Sequence, residues 1–377
     1  MSSRKSLAES PLRPGDVVEV KSASEILATL DGDASVDAMP FMPEMLRFVG
    51  RRLIVSRRVE KICDTVSGGP PNSRRMRDTV LLENLRCDGS GHDGCQAGCR
   101  LYWKESWLRR VDPGSEPDGR NGNGPARLVR DESFVQLGEL ARAGARAVRD
   151  VDGAPTETYR CQATEALRAT EPLSSYDMRQ YLRELTSENI GLPHFLRVAV
   201  RAVSCVIRRR LRLLSYQPLQ QSGVTAMARR RLRRPGSQSS RQAGAAVSAQ
   251  EKLNLRPGDT VQVRSPEEIA RTIDDSGKNR GLTFDWEMIP YCGGRYRVQD
   301  RVERIIDEKT GQMIEIPSDC LILEGVVCSG ERSSGHWLCP RAVYPYWREA
   351  WLRKVEDAEP RPAADREAAA ASPSRAA

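Results

Sequence analysis

Cysteine and histidine side chains occur along this chain in groups whose spacing suits metal ligands. The 377 residues include ten cysteines and three histidines. Thiolates, alone or with an imidazole, make up the tetrahedral ligand sets of structural zinc. Eight cysteines fall into two sets of four, each with one histidine: Cys63, Cys87, His92, Cys95 and Cys99, and Cys292, Cys320, Cys328, His336 and Cys339. The sequence therefore predicts a thiolate-bound metal, with zinc preferred, in at least one set.

The first set is the stronger case. Its stretch Cys87–Cys99 (CDGSGHDGCQAGC) places four potential ligands within thirteen residues, and its glycines permit the left-handed turns that wrap a chain around an ion. Two alternatives stay open. Free cysteines often simply pack in the interior, and four thiolates also suit an iron–sulfur cluster, although the short CxxC runs of ferredoxins are missing. CDGS begins like the CDGSH iron–sulfur motif, but Gly91 stands before His92.

These ligand positions belong to an internal repeat. Residues 12–31, LRPGDVVEVKSASEILATLD, match residues 255–274, LRPGDTVQVRSPEEIARTID, at an offset of 243. After a loop of different length the match resumes. Cys87 then pairs with Cys328, and the His-x-x-Cys that ends at Cys95 pairs with the one that ends at Cys339.

The repeated segments predict small β modules. Alternation after PGD indicates a strand, and Ser24–Leu30 indicates a short helix capped by Ser22 or Ser24. Arg52–Ile62 and Thr79–Arg86 indicate β-rich runs, the first of them either bent or paired around Ser56-Arg57. About five short strands per copy are typical of a partly open SH3-like barrel. The predicted fold class is α+β, with two repeated SH3-like β-barrel modules that carry Cys-rich metal loops and flank a helical insert.

Composition sets the predicted boundaries. They are a disordered start (1–11), the first module (12–111), a linker (112–130), the helical insert (131–216), an Arg/Ser-rich linker (217–250), the second module (251–356) and a disordered tail (357–377). Helices are predicted in the insert at Glu132–Val148, Thr156–Ala169, Ser175–Thr186 and Pro193–Leu214.

Repeated carboxylates and tryptophans are further candidates for chemistry. The carboxylates suit acid–base work, although caps and ion pairs are their default role, and the tryptophans more often pack in a core than cage a ligand. They are Glu44 and Glu287, Glu105 and Glu349, and the Trp pairs within Tyr102–Val111 and Tyr346–Val355. The chain has no Walker loop, GxGxxG, HExxH or GxSxG motif.

Basic charge is concentrated in one segment. The net charge is +8, yet Arg197–Arg241 holds twelve Arg and no acid, so the remainder sums to −4. On the predicted helix Pro193–Leu214 the arginines form one stripe beside a wide apolar face, which suits a peripheral helix on an anionic membrane and also a core helix with a solvated side. Sequence-specific nucleic-acid binding is disfavoured. The predicted anionic-surface residues are Arg197, Arg201, Arg208, Arg209, Arg210 and Arg212.

The composition, 39% hydrophobic and 29% charged, excludes collagen, a disordered chain and a polytopic membrane protein. The polar start does not resemble a secretory signal. We therefore expect a cytoplasmic protein whose cysteines stay thiols or metal ligands. It is expected to be peripheral to the membrane if the Arg-rich helix binds anionic lipid.

The tandem LRPGDxVxV modules, CDGSGHxGCQAGC, YRCQATEAL at 159–167 and PYCGGRYRV at 290–298 together resemble a family of bacterial proteins with Cys-rich tandem modules. The resemblance covers most of the chain outside the Arg-rich linker and the tails. It implies a bacterial cytoplasmic protein, supplies no activity, and makes Cys161 with Gln162–Thr164 a further candidate site.

Two hypotheses for function follow. The first is a zinc-stabilised binding or scaffold protein with an unknown protein partner. The alternative is a redox or transferase enzyme that uses thiolates, Cys161 or an iron–sulfur cluster between the modules. Closed metal sites away from any pocket favour the first, and a ligand-sized cleft favours the second.

Overall fold

The computed structural model of the protein describes residues 10–67, 73–112, 116–118, 131–151, 153–174, 177–214, 252–332 and 337–355, and for residues 205–214 it describes the backbone alone. The fold is mixed α+β, its sheets are mostly antiparallel, and one sheet curls into a half-barrel. The chain divides into two compact units. Unit 1 is Met1–Val198 with Arg304–Glu315 and Gly335–Val343, and unit 2 is Ala199–Glu303 with Ile316–Ser334 and Tyr344–Ala377.

The described helices are α1 (Ala23–Leu27), α2 (Glu132–Gly144), α3 (Arg179–Thr186), α4 (Leu192–Leu214) and α5 (Pro266–Ala270), and 3-10 segments cover Pro43–Phe48, Glu105–Trp107, Trp286–Tyr291 and Glu349–Trp351. The described strands are β1 (Val17–Val20), β2 (Ser35–Val36), β3 (Met39–Pro40), β4 (Arg52–Arg58), β5 (Lys61–Cys63), β6 (Ser73–Arg75), β7 (Thr79–Arg86), β8 (Arg100–Lys104), β9 (Leu108–Arg110), β10 (Arg146–Val151), β11 (Ala154–Tyr159), β12 (Glu171–Leu173), β13 (Thr260–Val263), β14 (Lys278–Asn279), β15 (Leu282–Thr283), β16 (Arg295–Arg301), β17 (Arg304–Ile306), β18 (Met313–Glu315), β19 (Leu321–Leu323) and β20 (Leu352–Lys354).

A five-stranded antiparallel sheet, in the order β8-β7-β4-β1-β9, forms the centre of unit 1. Its core contains Trp103 and Trp107, both fully buried. Phe41 meets both indole rings edge-on, with centroids 6.4 and 5.3 Å away. The prediction that the repeated tryptophans pack in a core is confirmed. Trp103 lies on a strand and Trp107 ends a 3-10 turn, so the pair does not share a helical face.

Local signals in the first module act as predicted. Ser22 caps α1, because its hydroxyl accepts from the backbone N–H of Glu25 while the Glu25 carboxylate accepts from the N–H of Ser22. The register of β4 against β7 shifts between Val55 and Arg57, at the predicted bend.

Unit 2 contains a four-stranded sheet in the order β19-β16-β13-β20. Val261 opposes Tyr296 here, as Val18 opposes Leu53 in unit 1, so both pairs of positions are related by the offset of 243. Phe284 packs edge-on against Trp347 and Trp351. Residues 304–315 and 335–343, which sequence analysis assigned to the second module, belong to unit 1.

The insert is only partly helical. The helix predicted over Thr156–Ala169 is wrong: residues 154–159 form β11, paired with β10, and residues 162–168 form turns. The reason is visible in the residues, since Thr156, Thr158 and Tyr159 favour strands and Gly153, with φ +84°, supplies the turn of a hairpin. Of the predicted linker 112–130, residues 112 and 116–118 are described. The predicted linker 217–250 and both predicted disordered ends except Ser10 and Pro11 lie outside the described residues.

Candidate metal centre

Three candidate ligands in unit 1 come from two segments. Glu44 lies in the 3-10 segment Pro43–Phe48, Cys87 directly follows β7, and His92 lies in the turn beyond it. One ligand atom from each lies within 4.8 Å of the other two. Cys87 Sγ and His92 Nδ1 are 3.9 Å apart, close to the roughly 3.5 Å between two ligands of one tetrahedral zinc ion. The three donors therefore surround a space of ionic size.

Three polar atoms of this group have no hydrogen-bond partner among the described residues. Glu44 is 4% exposed and His92 is 1% exposed. Neither carboxylate oxygen of Glu44, nor Nε2 of His92, has a hydrogen-bond partner within the described part of the chain. A buried carboxylate without a donor or counter-charge is costly. A cation between these side chains would neutralise that charge.

Two glycines let the segments approach this closely. Gly89 has φ +74°, and a Cβ there would lie 2.2 Å from the carbonyl oxygen of Cys95. A Cβ on Gly91 would lie 2.7 Å from Oε2 of Glu44. Larger residues at either position would displace the turn that carries His92.

The pKa shifts of Cys87 and His92 are compatible with uptake of a cation. Burial raises the pKa of Cys87, and the Glu44 carboxylate beside it raises it further. Burial lowers the pKa of His92, which keeps its imidazole neutral and able to ligate. Cation binding would release the thiol proton, since a thiolate is the ligating form.

The three ligands line a cavity of about 50 Å³. Three more thiols line it too, those of Cys95, Cys99 and Cys161. Burial raises the pKa of Cys99 to about 12 and that of Cys161 to about 11. Because one water needs about 10–15 Å³ by this measure, the cavity has room for about four waters.

The structure brings together only part of the predicted first set. Cys87 and His92 meet, and they are joined by Glu44, which sequence analysis treated as a structural carboxylate. Cys95 and Cys63 lie outside the group: the Cys95 thiol accepts from the backbone N–H of Ile306 at 3.4 Å, and Cys63 meets Cys339. No local spacing signals Glu44, because its segment reaches the Cys87 turn only through the tertiary fold.

The second predicted set has no comparable group among the described residues. Glu287, the counterpart of Glu44, accepts hydrogen bonds from the N–H and hydroxyl of Ser329 at 3.2 and 2.6 Å and from the N–H of Arg332 at 2.6 Å. Burial raises the pKa of Cys292 to about 12 and that of Cys320 to about 11. Cys328 is partly buried, and His336 lies outside the described residues.

Cys339 lies in unit 1, beside Cys63. The backbone N–H of Cys63 donates to Cys339 Sγ at 3.2 Å, and both residues are 6% exposed. Although burial opposes it, hydrogen bonds from the Cys63 side chain and from the backbone N–H of Arg341 lower the pKa of Cys339. These two thiols form a second cysteine site, separate from the Glu44–Cys87–His92 group.

The segment after Cys161 has a structural role. Gln162 is buried, and its side-chain amide accepts from the N–H of Tyr102 and donates to the carbonyl of Tyr102, each at 2.8 Å. It also donates to the carbonyl of Pro40 at 3.1 Å. Gln162 thus satisfies the backbone of β8 and fixes the Cys161 thiol against the cavity.

The other repeated carboxylates act as caps and ion pairs. Glu105 accepts from the N–H of Leu12 and pairs with Arg58. Glu349 accepts from the N–H groups of residues 253–255 and pairs with Arg301. The default structural role predicted for this pair is confirmed.

Helix α4 carries an exposed apolar stripe. Leu192, Leu196, Val200 and Val203 are 54–66% exposed, and their spacing places them on one face. Arg197 and Arg201 are also exposed, and Arg201 pairs with Glu331. The side chains of Arg208, Arg209, Arg210 and Arg212 lie outside the described residues.

Among the described residues, no helix combines the length and the apolar character needed to cross a membrane. Comparison of the chain with protein-family models, with curated proteins and with solved structures found no match. The function must therefore be argued from the geometry above.

Proposed function

We propose that the protein binds zinc through Glu44, Cys87 and His92. The observation that carries the proposal is the buried Glu44 carboxylate, which accepts no hydrogen bond from the described residues and lies beside the Cys87 thiol and an imidazole whose Nε2 has no partner there. A mixed sulfur, nitrogen and oxygen donor set suits zinc. A zinc ion held by these three side chains would keep one coordination position for water.

The bound metal ties two segments together, and we propose a scaffold or binding function on that basis. It would join the Pro43–Phe48 segment to the Cys87 turn, which a surface ion pair between Arg47 and Asp88 also links at 2.5 Å. The adjoining cavity has room for about four waters, which favours a metal staple over an enzyme that encloses its substrate.

Metal analysis of the purified full chain tests the proposal. We expect about one equivalent of zinc, lost in Cys87→Ser and His92→Gln. Cys328→Ser, the matched change at the repeated position, should keep the metal. Protein that neither carries nor takes up zinc would overturn the proposal, and iron with visible absorption would favour the iron–sulfur alternative.

We also propose that α4 binds an anionic membrane surface. Its exposed apolar stripe, next to Arg197 and Arg201, supports this second function, because an apolar face plus basic charge is the usual arrangement for peripheral binding. Sequence adds ten further Arg up to position 241. A cytoplasmic, membrane-peripheral location would follow.

Vesicle sedimentation tests the membrane proposal. We expect salt-sensitive binding to vesicles that contain phosphatidylglycerol, and little binding to phosphatidylcholine alone. Val200→Glu should weaken binding about tenfold, since burying a valine contributes about 1.5 kcal/mol. Val135→Glu places the same charge at an exposed valine of α2 and should have no effect. Equal loss in both variants, or no sedimentation of the parent protein, would refute membrane binding.

We propose, finally, that the two Cys-rich segments are repeated SH3-like modules. The shared strand register at an offset of 243 supports this. An experimental structure in which Cys87 does not superpose on Cys328 would reject it.

A further inference from the structure

The Cys63–Cys339 pair is a second site with chemistry of its own. Cys63 ends β5, and Cys339 belongs to the segment 337–343 far along the chain. The Cys63 N–H lies 3.2 Å from Cys339 Sγ, and the two side chains also hydrogen-bond to each other. Two thiols in contact inside a folded unit need little movement to form a disulfide.

Positive charge and N–H donors surround this pair. The Arg341 guanidinium is buried, and it donates to the Cys63 carbonyl at 3.4 Å and to the Thr65 hydroxyl at 2.8 Å. Glu308 holds the same guanidinium at 2.5 Å. A thiolate at Cys339 would be stabilised by this guanidinium and by two backbone N–H groups, and the thiolate is the nucleophilic form of cysteine.

The segment that carries Cys339 is fastened to the same unit by other arginines. Arg57 donates to the carbonyl of Leu338 at 3.0 Å, and Arg86 donates to the carbonyl of Ala342 at 2.9 Å. Leu338 and Ala342 both have positive φ, 62° and 43°. The surroundings therefore hold Cys339 against Cys63 in a segment where two other residues, Leu338 and Ala342, adopt a backbone conformation that non-glycine residues rarely adopt.

We propose that Cys63 and Cys339 are a redox-active pair that hydrogen peroxide converts to a reversible disulfide. The Cys339 thiolate attacks one peroxide oxygen, the O–O bond breaks, and water leaves after protonation. The sulfenic acid formed is then attacked by the Cys63 sulfur, so that the S–S bond forms, the S–O bond breaks and a second water leaves. In sum, two thiols and one peroxide give one disulfide and two waters. A dithiol reductant reverses the change by thiol–disulfide exchange.

The disulfide would staple β5 to the 337–343 segment. It closes a very long loop of chain, and such cross-links stabilise mainly by restricting the unfolded state. The oxidised protein should therefore melt several degrees higher than the reduced protein. This proposal does not depend on the zinc site, because the two sites share no ligand.

Peptide mapping of the full chain tests the proposal directly. Trypsin is expected to release Cys63 in peptide 62–74 and Cys339 in peptide 333–341, each with a single cysteine. After peroxide treatment and alkylation, we expect these two peptides to be cross-linked, and dithiothreitol should separate them. Cys320, buried and with a raised pKa, should stay alkylatable after unfolding.

Variants give the controls. Cys63→Ser and Cys339→Ser should lose the cross-link and the peroxide-dependent rise in melting temperature, but they should keep the bound zinc. Cys320→Ser should keep the cross-link, the rise in melting temperature and the zinc. Both cysteines remaining singly alkylated after peroxide would overturn the proposal in the parent protein, without any variant needing to fold. Loss of zinc in Cys63→Ser would assign the pair to metal binding instead.

Discussion

Replacing Glu44 by leucine distinguishes a carboxylate that serves as a metal ligand from an ordinary buried acid. The two carboxylate oxygens have no donor within the described part of the chain, and an unsatisfied buried polar group costs about 1–3 kcal/mol, or more when charged. Without metal, Glu44→Leu should therefore unfold with about 1–3 kcal/mol more free energy than the parent. In a unit of this size that corresponds to about 2–4 °C per kcal/mol.

Zinc should reverse this order of stability and make the parent more stable than Glu44→Leu. At a free zinc concentration one hundred times Kd, binding adds about 2.7 kcal/mol to the parent protein, and Glu44→Leu should gain far less. Differential scanning fluorimetry with EDTA and with buffered zinc measures both effects on one sample. The zinc-induced rise in melting temperature should be about 5–10 °C in the parent.

Glu287→Leu is the matched control. That carboxylate accepts three hydrogen bonds from Ser329 and Arg332, so its removal leaves buried donors without an acceptor and should destabilise the protein. It should leave the zinc response unchanged. If Glu44→Leu in EDTA is destabilised as much as Glu287→Leu, Glu44 is an ordinary buried acid and its assignment as a metal ligand is refuted.

Three further predictions follow from single residues. Gly91→Ala should weaken zinc binding about tenfold, because its Cβ would meet Glu44 Oε2 at 2.7 Å, whereas Gly32→Ala, with no atom within 4 Å, should not; zinc titration decides. Alkylation rates measured by mass spectrometry over a pH series compare two thiols. The rate at Cys339, which faces Cys63, Arg341 and Lys61, should level off at a lower pH than that of an ordinary thiol, whereas Cys320, whose pKa is raised to about 11, should react only at high pH. Equal pH profiles for the two cysteines would contradict this. Burial lowers the pKa of Lys61 to about 8 from 10.5. Between these two pH values the folded state has lost a proton that the unfolded state keeps, so the free energy of unfolding should rise with pH. Lys61→Met should lack this rise when the midpoints of urea unfolding are compared from pH 7 to 10.

Features set by neighbouring residues were predictable from the sequence. The Ser22 cap, the bend in β4 and the buried tryptophans depend on local spacing and on the alternation of apolar residues. The β10–β11 hairpin differs from the predicted helix because Ala, Glu and Thr in residues 156–169 also suit a helix. The sequence signal for the hairpin is Asp152-Gly153, a dipeptide that is frequent in hairpin turns. Local patterns thus predicted the strands of the first module better than those of the insert.

The sites were less predictable because they are made by distant segments. Cys87 and His92 could be paired from their spacing, but Glu44 reaches them only when the Pro43–Phe48 segment packs under the Cys87 turn. The contact between Cys63 and Cys339 joins two residues that are 276 positions apart in the sequence. Alignment of the repeat pairs Cys339 with Cys95 by position, and says nothing of which cysteine each one meets.

The repeat instead explains why only one carboxylate is left bare. Glu44 and Glu287 are equivalent by sequence and similarly buried, each 4% exposed, so each needs compensation for a charge removed from water. After Cys328 the chain runs SGERSSGH, and Ser329 and Arg332 turn back to donate to Glu287. After Cys87 the chain runs DGSGH, which is three residues shorter. Here the N–H and the hydroxyl of Ser90 donate to Asp88, and no N–H of the described residues donates to Glu44. The shorter loop instead brings His92 beside the carboxylate. The same acid is therefore satisfied by hydrogen bonds in one copy and lies beside a thiol and an imidazole in the other, and for this reason we propose zinc at the first set.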